Sequence, residues 1–170
     1  MRPGKVLIET DDIKQRVSEL GEEISRNYHH EKPVLVTVLK GGVIFVSDLI
    51  RELSIPVELD FVSVSSYKKR EKAAPAKIVQ NLSGSVAGKH VIVVENIVDT
   101  GSTLNRILQE LKDRGAASVE VCCLLDKKCK RKVDVDIRYR GFIIQDNFVV
   151  GYGLDYNQRF RNLPHIALLE

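Results

Sequence analysis

The segment "VIVVENIVDTGST", residues 91–103, sets two carboxylates, Glu95 and Asp99, behind four consecutive apolar residues and follows them with Thr100, Gly101, Ser102 and Thr103. Val91 to Val94 have the make-up of a buried strand. After the small hydroxylic residues come Leu104, Ile107, Leu108 and Leu111, whose spacing predicts a helix over 103–114 stopped by Gly115. A helix N-terminus carries unsatisfied backbone N–H groups, so this turn can cradle a phosphate monoester, with the Thr100, Ser102 and Thr103 hydroxyls as extra donors. Glu95, upstream, can accept protons from sugar hydroxyls. The plainer alternative is that Asp99 and Thr100 only cap the helix, since both residue types are favoured there.

"LKGG", Leu39–Gly42, offers a second turn of this kind, at the end of the apolar run "PVLVTVL". Lys40 supplies charge, and the glycines let backbone amides approach an anion. Alone, it reads more simply as a strand-to-helix connection. Two anion-suited turns on one sheet point to a ligand with two separate phosphate groups, provided that the turns at 39–42 and 99–103 converge.

The elements around these turns alternate. Ile13, Val17, Leu20, Ile24 and Tyr28 recur at steps of three and four, which predicts an amphipathic helix over 10–28 with Thr10 or Asp11 at its cap. Strands are expected at 33–39, 57–64, 77–82, 90–95 and 118–126, and a mostly buried helix at 42–53. Shorter strand-like pieces fall at 135–144, 148–154 and 165–170. Helices alternating with buried strands indicate an α/β fold with a central, mainly parallel twisted sheet flanked by helices, and ligands bind beyond the carboxyl ends of such strands. The polar, basic stretch 65–76 reads as a functional or mobile loop.

Composition sets the bounds. The chain has 170 residues and 44% hydrophobic content, enough for one domain with a real core. No apolar run approaches the roughly 18 residues of a membrane span, and the N-terminus has no apolar signal region. Three cysteines without metal-ligand spacing suit a reducing compartment, so a cytoplasmic location is expected. A net charge of +3 does not by itself indicate nucleic acid. No GxGxxG follows a strand, which argues against a dinucleotide-dependent dehydrogenase.

Residues 91–103 resemble the phosphoribosyl-pyrophosphate (PRPP) motif of the type I phosphoribosyltransferases. "LKGG" at 39–42, "SSY" at 65–67, "LLDK" at 124–127, "FVVGYGLDY" at 148–156 and "FRNLP" at 160–164 are similar to the hypoxanthine-guanine branch, in the family's order. The resemblance implies a single phosphoribosyltransferase domain over 1–170, with its core at about 31–130. The N-terminal segment and 131–170 would form a small hood, and 65–76 a lid closing through Ser66 and Tyr67. It implies Mg²⁺-dependent purine salvage, in which the phosphoribosyl group of PRPP passes to N9 of hypoxanthine or guanine. By the same resemblance Asp99 is the proton acceptor near purine N7, and Asp99, Thr100, Gly101, Ser102 and Thr103 hold the 5′-phosphate. Glu95 and Asn96 face the ribose. Lys40, Gly41 and Arg161 take pyrophosphate, with a cis peptide often found before the lysine. Lys127, Phe148, Val149 and Asp155 form the purine pocket, and Glu95 and Asp155 serve Mg²⁺. A homodimer or homotetramer is implied, with no nucleic acid or membrane partner.

Each role has a plainer counterpart. Lys127 opens the basic run "KKCKRK", which alone reads as solvated surface; Phe148 alone reads as core; Asp155 and Arg161 alone read as turn and surface residues. The chain departs from the family at Asn96, where a second acid is usual. An amide keeps a carbonyl acceptor but is a poorer Mg²⁺ partner, so PRPP·Mg should bind more weakly than in Asn96→Asp. Alternatives are a xanthine-preferring transferase, since Lys127 would read an O6 that all three bases share, and an RNA-binding regulator on the same fold, resting on Asn96 and the basic runs at 68–72 and 127–132.

Overall fold

The computed structural model describes residues 1–65, 77–80 and 82–170; the expected lid residues Ser66 and Tyr67 lie outside them. In chain order the elements are β1 (Pro3–Ile8), α1 (Thr10–Asn27), β2 (Val34–Leu39), α2 (Val43–Glu52), β3 (Glu58–Ser65), β4 (Lys77–Gln80), β5 (His90–Val98), α3 (Ser102–Asp113), β6 (Ser118–Asp126), β7 (Tyr139–Ile143), β8 (Val149–Val150) and β9 (Ile166–Leu169). A single 3₁₀ turn covers Lys128–Lys130.

The apolar runs without helical period become the large sheet, ordered β4-β3-β2-β5-β6-β7. Its five strands from β3 to β7 are parallel, and β4 lies antiparallel on the outer edge of β3. Central strands buried on both faces need unbroken apolar sequence. β5 meets this by sending alternate residues to opposite sides. Ile92 and Val94 join Ile13, Leu20, Phe45 and Leu49 beneath α1 and α2. Val91 and Val93 join Leu104, Ile107 and Leu111 of α3. Each such Leu or Ile, taken fully from water, contributes about 1.5–3 kcal/mol, so the two layers fix the sheet between them.

Four local expectations are corrected. β5 continues to Val98 instead of ending at 95, because Ile97 and Val98 find parallel partners in Leu125 and Asp126. Glu95 and Asn96 therefore sit on the strand, not past its end. The piece expected at 135–144 is a strand only over Tyr139–Ile143, and it extends the large sheet through Cys122↔Tyr139 and Leu125↔Phe142. The piece expected at 148–154 pairs only at Val149–Val150, before Gly151 and Gly153 turn the chain with positive φ. At α1 the cap is Glu9, not Thr10 or Asp11, and it makes no side-chain cap hydrogen bond.

β1 is an element that composition does not announce: a Pro-Gly start followed by a lysine is poor strand sequence. It forms because β9 offers an edge. The two pair antiparallel, and the Arg2 N–H donates to the Glu170 carbonyl at 2.7 Å. With β8 on the other side of β9 they make a small second sheet, ordered β1-β9-β8. No helix among the described residues is long and apolar enough to cross a membrane.

Candidate active site

A cleft of about 380 Å³ opens at the carboxyl ends of β2, β5 and β6. Lys40 and Gly41 line it from the first turn, Glu95, Asn96 and Asp99 from β5 and the turn after it, and Lys127 from the end of β6. Phe148, Val149, Asp155 and Arg161 close the far side. A second hollow of about 220 Å³ adjoins it, lined by Thr100, Gly101 and Thr103 at the start of α3, and the two share Glu95, Ile97 and Asp99 as a common wall. The turns at 39–42 and 99–103 thus border two adjoining hollows that share a wall, as suits a ligand with two phosphate groups.

The first turn is held by close packing. The Leu39–Lys40 peptide is cis. Thr37 Oγ1 donates to the Val94 carbonyl at 2.9 Å, tying β2 to β5 beneath the turn. A Cβ on Gly41 would lie 2.8 Å from Asn96 Nδ2, and a Cβ on Gly153 would lie 2.2 Å from the Gly41 carbonyl oxygen. The Gly153 loop, the Gly41 turn and the Asn96 side chain are therefore stacked with no room for a methyl group. Asn96 is only 3% exposed, and its Nδ2 finds no hydrogen-bond partner among the described residues.

The second turn answers the capping alternative. α3 starts after Gly101, whose φ of 82° is the left-handed region and which has no side chain to cap the helix. Thr100 Oγ1 accepts only a long 3.4 Å bond from the Ser102 N–H. Thr103 and Leu104, in the first turn of α3, line the hollow, and first-turn N–H groups lack intrahelical partners, the arrangement that favours an anion. Residues 132 and 133 brace the loop from below: the N–H groups of Lys132 and Val133 both donate to the Thr100 carbonyl, at 2.9 and 3.1 Å.

On the far side, the surface reading of Lys127 and the core reading of Phe148 are both overturned. Lys127 is 7% exposed, and its Nζ donates to the Asn147 carbonyl at 2.7 Å. Phe148 is 58% exposed, with its ring set against Tyr156 at 5.9 Å in an edge arrangement. A bare aromatic face in a polar cleft costs hydrophobic free energy that a flat apolar ligand can recover. Val149 is buried, its backbone paired with Leu168. Asp155 and Arg161 pair with each other at 2.7 Å. Arg161 also donates to the Gly153 carbonyl at 2.7 Å, and Asp155 accepts from the Gln158 N–H at 2.9 Å.

Surrounding protein pushes the Glu95 carboxyl up to about 8, partly offset by the N–H groups of Asn96 and Ile97. Part of the residue is open to the cleft, where water or a cation draws the value down again. No cluster of three His, Cys, Asp or Glu suited to a metal occurs among the described residues. Glu95 and Asp155 in one cleft nevertheless fit Mg²⁺, which commonly takes one or two carboxylates, waters and substrate phosphates.

Residues 7–157 match the model of the phosphoribosyl transferase domain. The hypoxanthine-guanine phosphoribosyltransferase of Bacillus subtilis is 41% identical over 167 residues, covering 98% of this chain and 93% of that protein. The bifunctional protein TilS/HprT of Listeria monocytogenes is 42% identical over the same length, but the chain spans only 26% of it. A crystal structure of a Staphylococcus aureus hypoxanthine phosphoribosyltransferase superposes with a TM-score of 0.94 at 39% identity, covering 99% of this chain and 92% of that one.

Proposed function

Since this chain belongs to the phosphoribosyltransferase family, we propose that it transfers the 5-phosphoribosyl group of PRPP to N9 of hypoxanthine or guanine, giving IMP or GMP and pyrophosphate. The observation that carries this reading is the pair of adjoining hollows that set two anion-suited turns beside an exposed aromatic face.

The 5′-phosphate sits on residues 99–103, with the N–H groups at the start of α3 and the hydroxyls of Thr100, Ser102 and Thr103 as its donors. Glu95 takes the ribose hydroxyls. The diphosphate lies along Lys40 and Gly41, with Arg161 nearby, and the base stacks on Phe148 with Lys127 donating to O6. Breaking the bond from C1′ to the diphosphate oxygen builds an oxocarbenium-like sugar, and the leaving group departs with the bonding electrons. Lys40 and Arg161 stabilise that negative charge. As N9 bonds to C1′ the purine must lose a proton, and Asp99 accepts it near N7. Glu95 and Asp155 would hold Mg²⁺ together with the substrate, and the ion would supply further charge neutralisation.

The RNA-binding alternative is weakened where its basic run can be followed. Lys127 is buried, Lys130 pairs with Asp146 at 2.9 Å and Arg131 pairs with Asp126. A cytoplasmic location and a homodimer or homotetramer belong to the same proposal; sedimentation reads the latter.

The test is a spectrophotometric IMP assay with PRPP and hypoxanthine, with and without Mg²⁺. Activity that requires the metal, and that falls by about 10²-fold or more in kcat for Asp99→Asn, is the expected result. No product from hypoxanthine, guanine or xanthine rejects the proposal, and competition among the three bases reports any xanthine preference.

A further inference from the structure

The basic run after β6 hides a side chain that turns inward. Arg131 Nε donates to the Asp99 carbonyl at 3.2 Å, and Nη2 reaches the Val98 carbonyl at 3.4 Å. The same Nη2 bonds Asp126 Oδ1. Asp126 is the last residue of β6 and is 0% exposed. Its other oxygen lies 2.8 Å from Arg140 Nε of β7, an ion pair whose angle is not that of a hydrogen bond. Gly101 fits over this arrangement because it lacks a side chain: a Cβ there would lie 3.0 Å from Arg131 Cδ and 2.4 Å from the Val133 carbonyl.

Arg131 therefore links a buried carboxylate in the sheet to two successive carbonyls of the anion turn. Fixing the carbonyls of residues 98 and 99 fixes the two peptide planes that set where the Asp99 side chain leaves the chain. It also fixes where the first free N–H groups of α3 begin. A guanidinium suits the task because its planar fork serves several acceptors at once, which a lysine ammonium on a flexible stem does not.

We propose that Arg131, anchored by Asp126, is a positioning residue that holds Asp99 and the 5′-phosphate turn in their working geometry. This rests on the transferase reading for its kinetic consequence but not for its structural one. Lysine in its place retains the charge and loses the fork, so the defect is partial; glutamine loses both.

The experiment compares Arg131→Gln, Arg131→Lys and Arg140→Gln. The last removes the other partner of Asp126 without touching the turn, and so separates loss of stability from loss of positioning. Amide hydrogen exchange, read without substrate, should quicken by about tenfold or more at residues 99–104 in Arg131→Gln. The amides of β2 and α1 should stay unchanged. Arg140→Gln should lower the melting temperature and leave the turn's exchange as it was. In kinetics, Arg131→Gln should raise the PRPP KM and lower kcat by about tenfold each while the purine KM holds. Arg131→Lys should recover part of both, and Arg140→Gln should keep the original values. Unchanged exchange at 99–104 in Arg131→Gln overturns the proposal whether or not the protein transfers phosphoribosyl groups. So does an equal effect from Arg140→Gln. If the unmodified protein makes no product, the transferase reading fails and the exchange result alone decides the role of Arg131.

Discussion

At the scale of single residues, position 96 tests the metal reading. Asn96 is buried against the Gly41 turn, its amide nitrogen without a hydrogen-bond partner among the described residues, beside a Glu95 carboxyl that burial already pushes up to about 8. A carboxylate there would add a hard anionic oxygen for Mg²⁺ but would also put a second charge in a poorly hydrated place next to Glu95. Asn96→Asp is therefore expected to lower the PRPP KM several-fold at saturating Mg²⁺ and to be less stable without metal. The sign of its pH dependence follows from the direction of the shift. A carboxyl whose folded pKa is raised binds its proton more tightly folded than unfolded. Its stability is full below the ordinary carboxylate range and is lost as pH rises toward the raised value. In EDTA, thermal melts should show the Asn96→Asp protein losing stability between about pH 4.5 and 8 more steeply than the original chain, by at most about 1.4 kcal/mol per pH unit for one proton. An unchanged PRPP KM would sink the idea that the amide limits binding.

At the scale of elements, Gly153 and Gly41 show how a loop can tune a turn across the cleft. Gly153 has a φ of 92°, and a Cβ there would meet the Gly41 carbonyl oxygen at 2.2 Å. Gly153→Ala should thus push the diphosphate turn and raise the PRPP KM by about tenfold, with the purine KM much less affected. Steady-state kinetics with each substrate varied reads the difference, and equal changes in both would count against it. The same elements show what the sequence disclosed. The helices and the parallel strands were legible because long apolar runs and three-four spacing leave little choice. The anion turn was legible because acids, glycine and hydroxyls follow a buried strand in one stretch. The extra length of β5, the short β8 and the existence of β1 were not, since each depends on a partner strand far along the chain. That Asp155 and Arg161 line the cleft was legible only through family likeness. Arg131 was masked by its neighbours: in "KKCKRK" nothing local tells an inward guanidinium from solvated lysines, and its anchor Asp126 belongs to another element.

At the scale of the whole molecule, two sheets divide the labour. The large sheet carries both anion turns, whereas Phe148 and Val149 belong to the small sheet's edge at β8. β8 is only two residues long and pairs with β9 through Val149↔Leu168 and Val150↔Ala167. β9 in turn is held on its other side by β1, through Val6↔Ala167 and Ile8↔Ile166, with Ile8 and Ile166 both in the core. Removing residues 2–8 would strip one edge of β9, expose its unpaired N–H and C=O groups and uncover Ile166. The loss should travel to the proposed purine side first, because among the described residues β8 has no other strand to hold it. The turns at 39–42 and 99–103, to which the proposal assigns the phosphates, keep their supports in β2, β5 and α3. A protein lacking residues 2–8 should therefore bind its purine about tenfold more weakly, a loss of about 1.4 kcal/mol, while its PRPP KM changes little. Initial rates with each substrate varied, on protein whose far-ultraviolet circular dichroism still shows the helices, make the comparison. A PRPP KM that rises as much as the purine KM would mean that the two sheets act as one unit.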